Sequence, residues 1–354
     1  EFELDLGPGE RRRHALLSQL PALTADSWLN VWISQPEATG WSAANHEVAR
    51  WQFALPGVLL EESAASRPAI IIANDEGLVV TANTNTYTTI WQLDAQTGLL
   101  SSWLKDGEQM LSAPLADNFL RAPLDNDIGI SEAGRLDPRS WFARWQQAGL
   151  FELQSRCLDI QANLPAGEVS VEHGHYHQGT LLIRSRWNHR FSDDGKLQVS
   201  VRVDVAGHMP PLPRIGAKLG LRQIPTEVDW FGRGPHENYP DRLASADFGH
   251  WQSPVQQLHT NYIFPSENGL RCDTTWLELG SVRVAGRFHF AVSQYGYAQL
   301  AKATHYHQLE PESGLHVYID GYHMGVGGDD SWTPSTKPKY LLDAGCYEWA
   351  FCLR

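Results

Sequence analysis

The 354-residue sequence carries a formal charge of -13, with 42% hydrophobic and 19% charged residues. Those proportions fit a soluble globular protein of two or three domains, and the acidity disfavours nucleic acid and anionic membranes as partners. No apolar run approaches the roughly 20 residues that span a bilayer, and no basic stretch followed by an apolar one opens the chain as a secretory signal would. Cys157, Cys272, Cys346 and Cys352 are scattered without a C-x-x-C pair. That is a poor zinc or redox pattern, so a reduced, cytoplasmic setting is the expectation. Cys346 and Cys352 would share a strand face about 20 Å apart, too far to bridge.

The chain opens without Met, in an alternating pattern of Phe2, Leu4 and Leu6 with carboxylates between. The reading is a fragment or a processed chain that starts in mid-strand. Trp28 to Ile33 and Val48 to Leu55 are further apolar runs, punctuated by Pro8-Gly9, Pro36 and Gly40. An immunoglobulin-like sandwich needs about seven strands, so residues 1–55 read as half of one. Residues 56–68, with Glu-Glu-Ser-Ala-Ala-Ser inside, read as a linker. From Ala69 the pattern is strand after strand. Leu197, Val199, Val201, Val203 and Val205 alternate strictly with polar residues. Val282, Val284, Phe288, Phe290 and Val292 do the same. So many strands over about 285 residues predict a large two-sheet antiparallel assembly, an all-β fold with few short helices. One helix is predicted after an Asp137 N-cap with Pro138 at the first position, ended by Gly149. A second short one opens at Ser253-Pro254.

Several constellations could carry chemistry. Asp125 and Asp127 would lie about 7 Å apart on one face if extended, and Asp329 and Asp330 are adjacent. Glycoside hydrolysis needs two carboxyl groups about 5 to 9.5 Å apart. Arg121 nearby would hold such carboxylates ionised, whereas a general acid needs a raised pKa. A charge-assisted cluster that fixes a loop is therefore the favoured reading. His236, Glu237, Asn238, Tyr239, Asp241 and Arg242 could contact sugar or tie loops together, with the tie favoured. His305 and His307, on one strand face with Glu310 and Glu312 nearby, could serve acid-base chemistry or a metal; a polar strand edge is favoured. His173, His175 and His177 alternate and could bind a transition metal, but a solvated hairpin is favoured. From His323 to Ser335, Gly325, Gly327 and Gly328 precede Asp329, Asp330, Ser331 and Trp332. A loop of carboxylates, bare backbone and one indole suits a sugar-contacting loop; from the residue types alone a glycine turn with Trp332 as a core plug is favoured.

R-A-P-L-D-N-D (Arg121 to Asp127), G-P-H-E-N-Y-P-D-R (Gly234 to Arg242), F-P-S-E-N-G (Phe264 to Gly269) and D-G-Y-H-M-G-V-G-G-D-D-S-W (Asp320 to Trp332) occur in this order. Together they resemble the C-terminal third of the large bacterial β-galactosidases of glycoside hydrolase family 2. The resemblance implies a partial immunoglobulin-like sandwich over 1–55 and a galactose mutarotase-like super-sandwich over 69–354. It also implies that the catalytic glutamates, and the magnesium and sodium of the intact enzyme, belong to an upstream barrel domain, with no metal held here. Trp332 would help bind a β-galactoside such as lactose. Arg121, Asp125, Asp127, His236, Glu237, Asp329 and Asp330 would order loops beside that site. The rest would be scaffold and a homo-oligomer interface, inactive alone. The alternatives are a carbohydrate-binding small subunit and a stand-alone epimerase using His305 or His307.

Overall fold

A computed structural model describes residues 6–13, 15, 27–55, 66–129, 137–330 and 335–354. Phe2, Leu4, most of the 56–68 segment and Trp332 lie outside the described residues. The chain divides into two compact units, 1–64 and 65–354.

In the first unit, strand Ser27–Gln35 pairs antiparallel with His46–Leu55. The register sets Leu29 opposite Phe53, Val31 opposite Trp51 and Ile33 opposite Ala49, so these six side chains share one apolar face. Ile33, Trp51 and Phe53 on it are exposed. A two-stranded hairpin of this kind is marginal by itself.

The second unit is built on one forked strand. Val282–Ser293 pairs along one edge with Arg271–Leu279. Along its other edge, Val284 to Gly286 pair with Cys346–Leu353, and His289 to Ser293 pair with Leu315–His323. The fork falls at Gly286, which has φ 143° and where a Cβ would stand 2.9 Å from the Ala350 carbonyl; only glycine fits both constraints. One wing continues from Cys346–Leu353 through Leu197–Val205, Thr180–Phe191 and Glu168–His177 to Gln154–Asn163. The other runs from Leu315–His323 through Arg214–Leu221, Leu111–Asn118, Leu100–Lys105, Thr88–Asp94 and Gly77–Asn83 to Ile70–Asn74. Beyond Arg271–Leu279 lie Glu227–Gly234 and Asp247–Pro254. Every ladder is antiparallel. The wings face each other: the Trp91 and Phe191 ring centroids lie 5.3 Å apart, and Trp187 Nε1 donates to Asp117 Oδ1 at 3.0 Å. The result is a curled super-sandwich.

Alternation explains the strands. Leu197, Val199, Val201 and Val203 are buried between the wings while Gln198, Ser200 and Arg202 face out. Helices are few, and the predicted start of the first is corrected. Ser140 caps Trp141–Gln147, its Oγ accepting the Ala143 N–H at 3.1 Å. Asp137 instead accepts the N–H of Arg139 and pairs with its side chain one turn earlier. Gly149, at φ 76°, follows the helix, and a 3-10 turn Val255–Leu258 follows Pro254.

The solvated hairpin at His173, His175 and His177 is also corrected. The strand is paired on both sides from Glu168 to Tyr176, and His173 and His175 are buried between the wings, while His177, half-buried beside the hairpin turn, pairs only with Thr180. His175 lies 3.1 Å from Asp117 Oδ2 and 2.8 Å from Ser155 Oγ, and His173 lies 2.8 Å from the Thr97 carbonyl oxygen. Burial works against the charge of Asp117, but His175 and Ser185 hold its carboxyl below the usual range. His189 is buried with only a backbone hydrogen bond to Val169 to favour its charge, and burial pushes its pKa down to about 4. Its folded pKa lies below the unfolded value of 6.5. The stability of a neutral buried imidazole is therefore complete above pH 6.5 and declines as pH falls toward about 4, by about 3 kcal/mol. His189→Phe is expected to remove that part of the slope in urea titrations across this window. Identical slopes in both proteins would refute it.

Candidate functional site

The four sequence segments meet in space. Between strand Leu111–Asn118 and the short helix Asp125–Ile128, Arg121 turns fully inward. Its Nε and Nη2 donate to Asp127 Oδ2 and Oδ1 at 2.9 and 2.6 Å. This bidentate fork matches guanidinium to carboxylate. Asp127 also accepts the Leu124 N–H, closing its own turn. The remaining Arg121 donors reach the carbonyls of Met324 and Gly325 at 3.1 to 3.2 Å. Asn126 Nδ2 donates to the Val326 carbonyl at 2.8 Å. Asp125 is exposed on the outer side of the helical turn. The extended geometry considered for Asp125 and Asp127 is therefore corrected: one carboxylate points in, the other out.

The Gly234–Arg242 segment packs on the same loop. Asp241 Oδ1 and Oδ2 accept the N–H groups of Val326 and Gly327 at 3.0 and 2.8 Å. Asn238, fully buried, accepts the Cys272 N–H at 2.9 Å. Glu237 accepts the Gly269 N–H at 2.8 Å, the Tyr262 hydroxyl, and a contact from Arg242 at 3.4 Å. His236 stays at the surface, 3.0 Å from Ser245 Oγ.

Below these loops lies a second buried charge cluster. Arg214 donates to Asp320 Oδ2 at 2.8 and 3.0 Å and to both Glu267 oxygens at 3.3 Å. The Glu267 N–H donates to the Ala122 carbonyl, tying the cluster to the Arg121 segment. Burial pushes Asp320 up to about 6 despite Arg214, and burial likewise raises Glu267. Burial opposes the charge of Arg214, but Asp320 and Glu267 hold its proton above the usual range. Burial, then the charges of Arg214 and Arg121, push His323 well below its usual range, so its ring is neutral. Arg214, Glu267 and Asp320 were not singled out from sequence. The available signal was a charged residue inside an otherwise apolar strand, as in R-I-G-A and Y-I-D-G.

The remaining sequence candidates lie elsewhere. Asp329 and Asp330 are exposed, Asp329 3.3 Å from Lys337 Nζ. The strand face proposed for His305 and His307 is corrected to an exposed 3-10 turn at Tyr306–Gln308. Glu312 engages the Gly296 N–H and His316 instead. Among the described residues no group of three or more His, Cys, Asp or Glu could hold a metal ion. No helix among them is long and apolar enough to cross a membrane.

The family described as "Beta galactosidase small chain" matches residues 85–353. The chain belongs to this family. A second description, "Beta-galactosidase, domain 4", matches residues 1–56. The chain is similar to the β-galactosidase of Aeromonas hydrophila, 49% identical over 100% of this chain and 35% of that protein. It is 43% identical to that of Yersinia enterocolitica, over 99% of this chain and 34% of the relative. It thus spans about a third of the length of these curated relatives. A galactose 1-epimerase from Lactobacillus acidophilus superposes with a TM-score of 0.39 at 8% identity, covering 82% of this chain and 98% of that one. Within this small-chain family member, the buried clusters join loops from four separated segments.

Proposed function

We propose that this chain is the C-terminal region of a cytoplasmic β-galactosidase, acting as scaffold and as one wall of the site for terminal β-D-galactosides such as lactose. The observation that carries the reading is that the Arg121–Asp127 and Gly234–Arg242 segments both anchor the Met324–Gly327 backbone, which leads toward Trp332 in the sequence. Arg121, Asn126 and Asp241 hold the Met324–Gly327 backbone from both sides, a fixed base for the sequence that follows. Trp332 in that sequence would meet the sugar or the acceptor, since an indole offers a flat apolar face to a pyranose. Asp125, Asp329 and Asp330 would flank it, and Arg121, Asp127 and Glu237 would order the loops beneath. The catalytic carboxylates, with the magnesium and sodium of the intact enzyme, would come from a barrel domain outside this sequence, and the assembled enzyme would be a homo-oligomer.

The 354-residue chain alone is expected to hydrolyse a chromogenic galactoside at the background rate, while the full-length enzyme turns it over. Trp332→Ala in the full-length enzyme is expected to weaken sugar or acceptor binding. Turnover by the isolated chain that survives repurification and vanishes in Asp125→Asn would overturn the reading.

A further inference from the structure

The Gly325–Gly328 turn is shaped around one carboxylate. Asp241 accepts two successive backbone N–H groups, those of Val326 and Gly327, an arrangement that forms a concave anion nest. A Cβ at Gly325 would stand 2.6 Å from Asp241 Oδ2 and 3.0 Å from Tyr340 Cβ. Gly327 and Gly328 take φ of 68° and 91°, which side chains adopt only with strain. Gly325 is thus demanded by the carboxylate's close approach, and Gly327 and Gly328 by the backbone conformation of the turn. On the opposite side, Arg121 and Asn126 take the carbonyls of Met324, Gly325 and Val326. The Val326 and Gly327 donors face Asp241, the Gly325 N–H donates to the Tyr340 carbonyl oxygen, and the three carbonyls face Arg121 and Asn126, so the peptide planes are fixed from both sides.

We propose that Asp241 is a positioning residue: by fixing the Val326 and Gly327 amides it sets the direction in which the chain leaves Gly328 toward the sugar-facing tip. The inference rests on the reading that this tip meets the sugar. Asp241 differs from Arg121 in being only half buried, so replacing it leaves the fold standing.

In the full-length enzyme, Asp241→Asn keeps the side-chain shape but offers one acceptor oxygen and turns an NH2 group toward the second amide. Losing hydrogen bonds to a charged group is expected to raise KM for a galactoside roughly tenfold, with kcat changed less than about twofold. Gly325→Ala reaches the same carboxylate from the other side and is expected to reproduce the rise. Combined with Trp332→Ala, Asp241→Asn is expected to add nothing further, because both act through one tip. In the 354-residue chain, amide exchange at Val326 and Gly327 is expected to quicken in Asp241→Asn while strand Leu315–His323 keeps its protection. A KM raised by Trp332→Ala but not by Asp241→Asn would sink the positioning role and leave the sugar-facing reading intact. If neither variant raises it, the sugar-facing reading itself fails and the proposal with it. Additive effects of the two, or unchanged exchange, would also overturn the proposal.

Discussion

Arg121→Met in the 354-residue chain is expected to cost about 3 to 5 kcal/mol of folding stability. The reason is what the change leaves behind. Asp127, 1% exposed, would keep a carboxylate with no cation beside it. The Met324 and Gly325 carbonyls would lose their Arg121 donors in the same interior. Each unmade bond in a buried site costs on the order of 1 to 3 kcal/mol. Arg121→Lys is expected to recover little, because a single ammonium cannot make the bidentate contact to Asp127 and also reach two carbonyls. Asp127→Asn added to Arg121→Met is expected to restore part of the loss, since the stranded charge is then gone. Urea denaturation of the four proteins measures all of this. A loss below about 1 kcal/mol for Arg121→Met would show that the pair behaves as a solvent-screened surface bridge.

That pair also marks how far the sequence could be read. Arg121 and Asp127 stand six apart in one segment, so their attraction was visible in the primary structure. What Arg121 does with its other donors was not, because Met324 and Gly325 are some two hundred positions away. The strands were legible wherever one face is wet: Leu197 to Val205 alternates because Gln198, Ser200 and Arg202 meet water. His173 and His175 misled for the converse reason. On a strand paired at both edges, a polar residue between the wings has the same alternation as one outside, and only the partners Asp117, Ser155 and Thr97 decide which it is. The helix start slipped from Asp137 to Ser140 because both residues are good caps, and the choice was made by which side chain reaches an amide three residues on. Arg214 and Asp320 were illegible as a pair, since their strands pair directly but stand 106 positions apart in the chain.

Arg214→Met is expected to give the largest pH-dependent loss in the molecule. The variant leaves Glu267 and Asp320 as two buried carboxylates without their shared cation. Near pH 7 that is expected to cost at least about 3 to 5 kcal/mol. Asp320 is already pushed up to about 6 with Arg214 present, against 3.8 when unfolded. An acid whose folded pKa is raised contributes stability that is complete below the unfolded pKa and is lost as pH rises through the folded one. Without Arg214 the folded values of Asp320 and Glu267 move higher still, so the loss, which sets in at the same unfolded pKa, continues to higher pH and grows larger on the way to neutrality. The gap between the two proteins is therefore expected to narrow as pH falls from about 7 toward about 5. His323 works in the same direction. Its proton is disfavoured by burial and then by Arg214, so removing Arg214 lets the folded variant accept it more readily in acid. The imidazole of His189 loses stability over the same range in both proteins and cancels in the difference. Urea midpoints for wild type and variant near pH 7 and near pH 5 read the gap directly. Asp320→Asn on the Arg214→Met background is expected to restore stability near pH 7 and little near pH 5. A gap that stays constant with pH would mean that water reaches these carboxylates and that the cluster is not the dry tie beneath the four loops that its geometry describes.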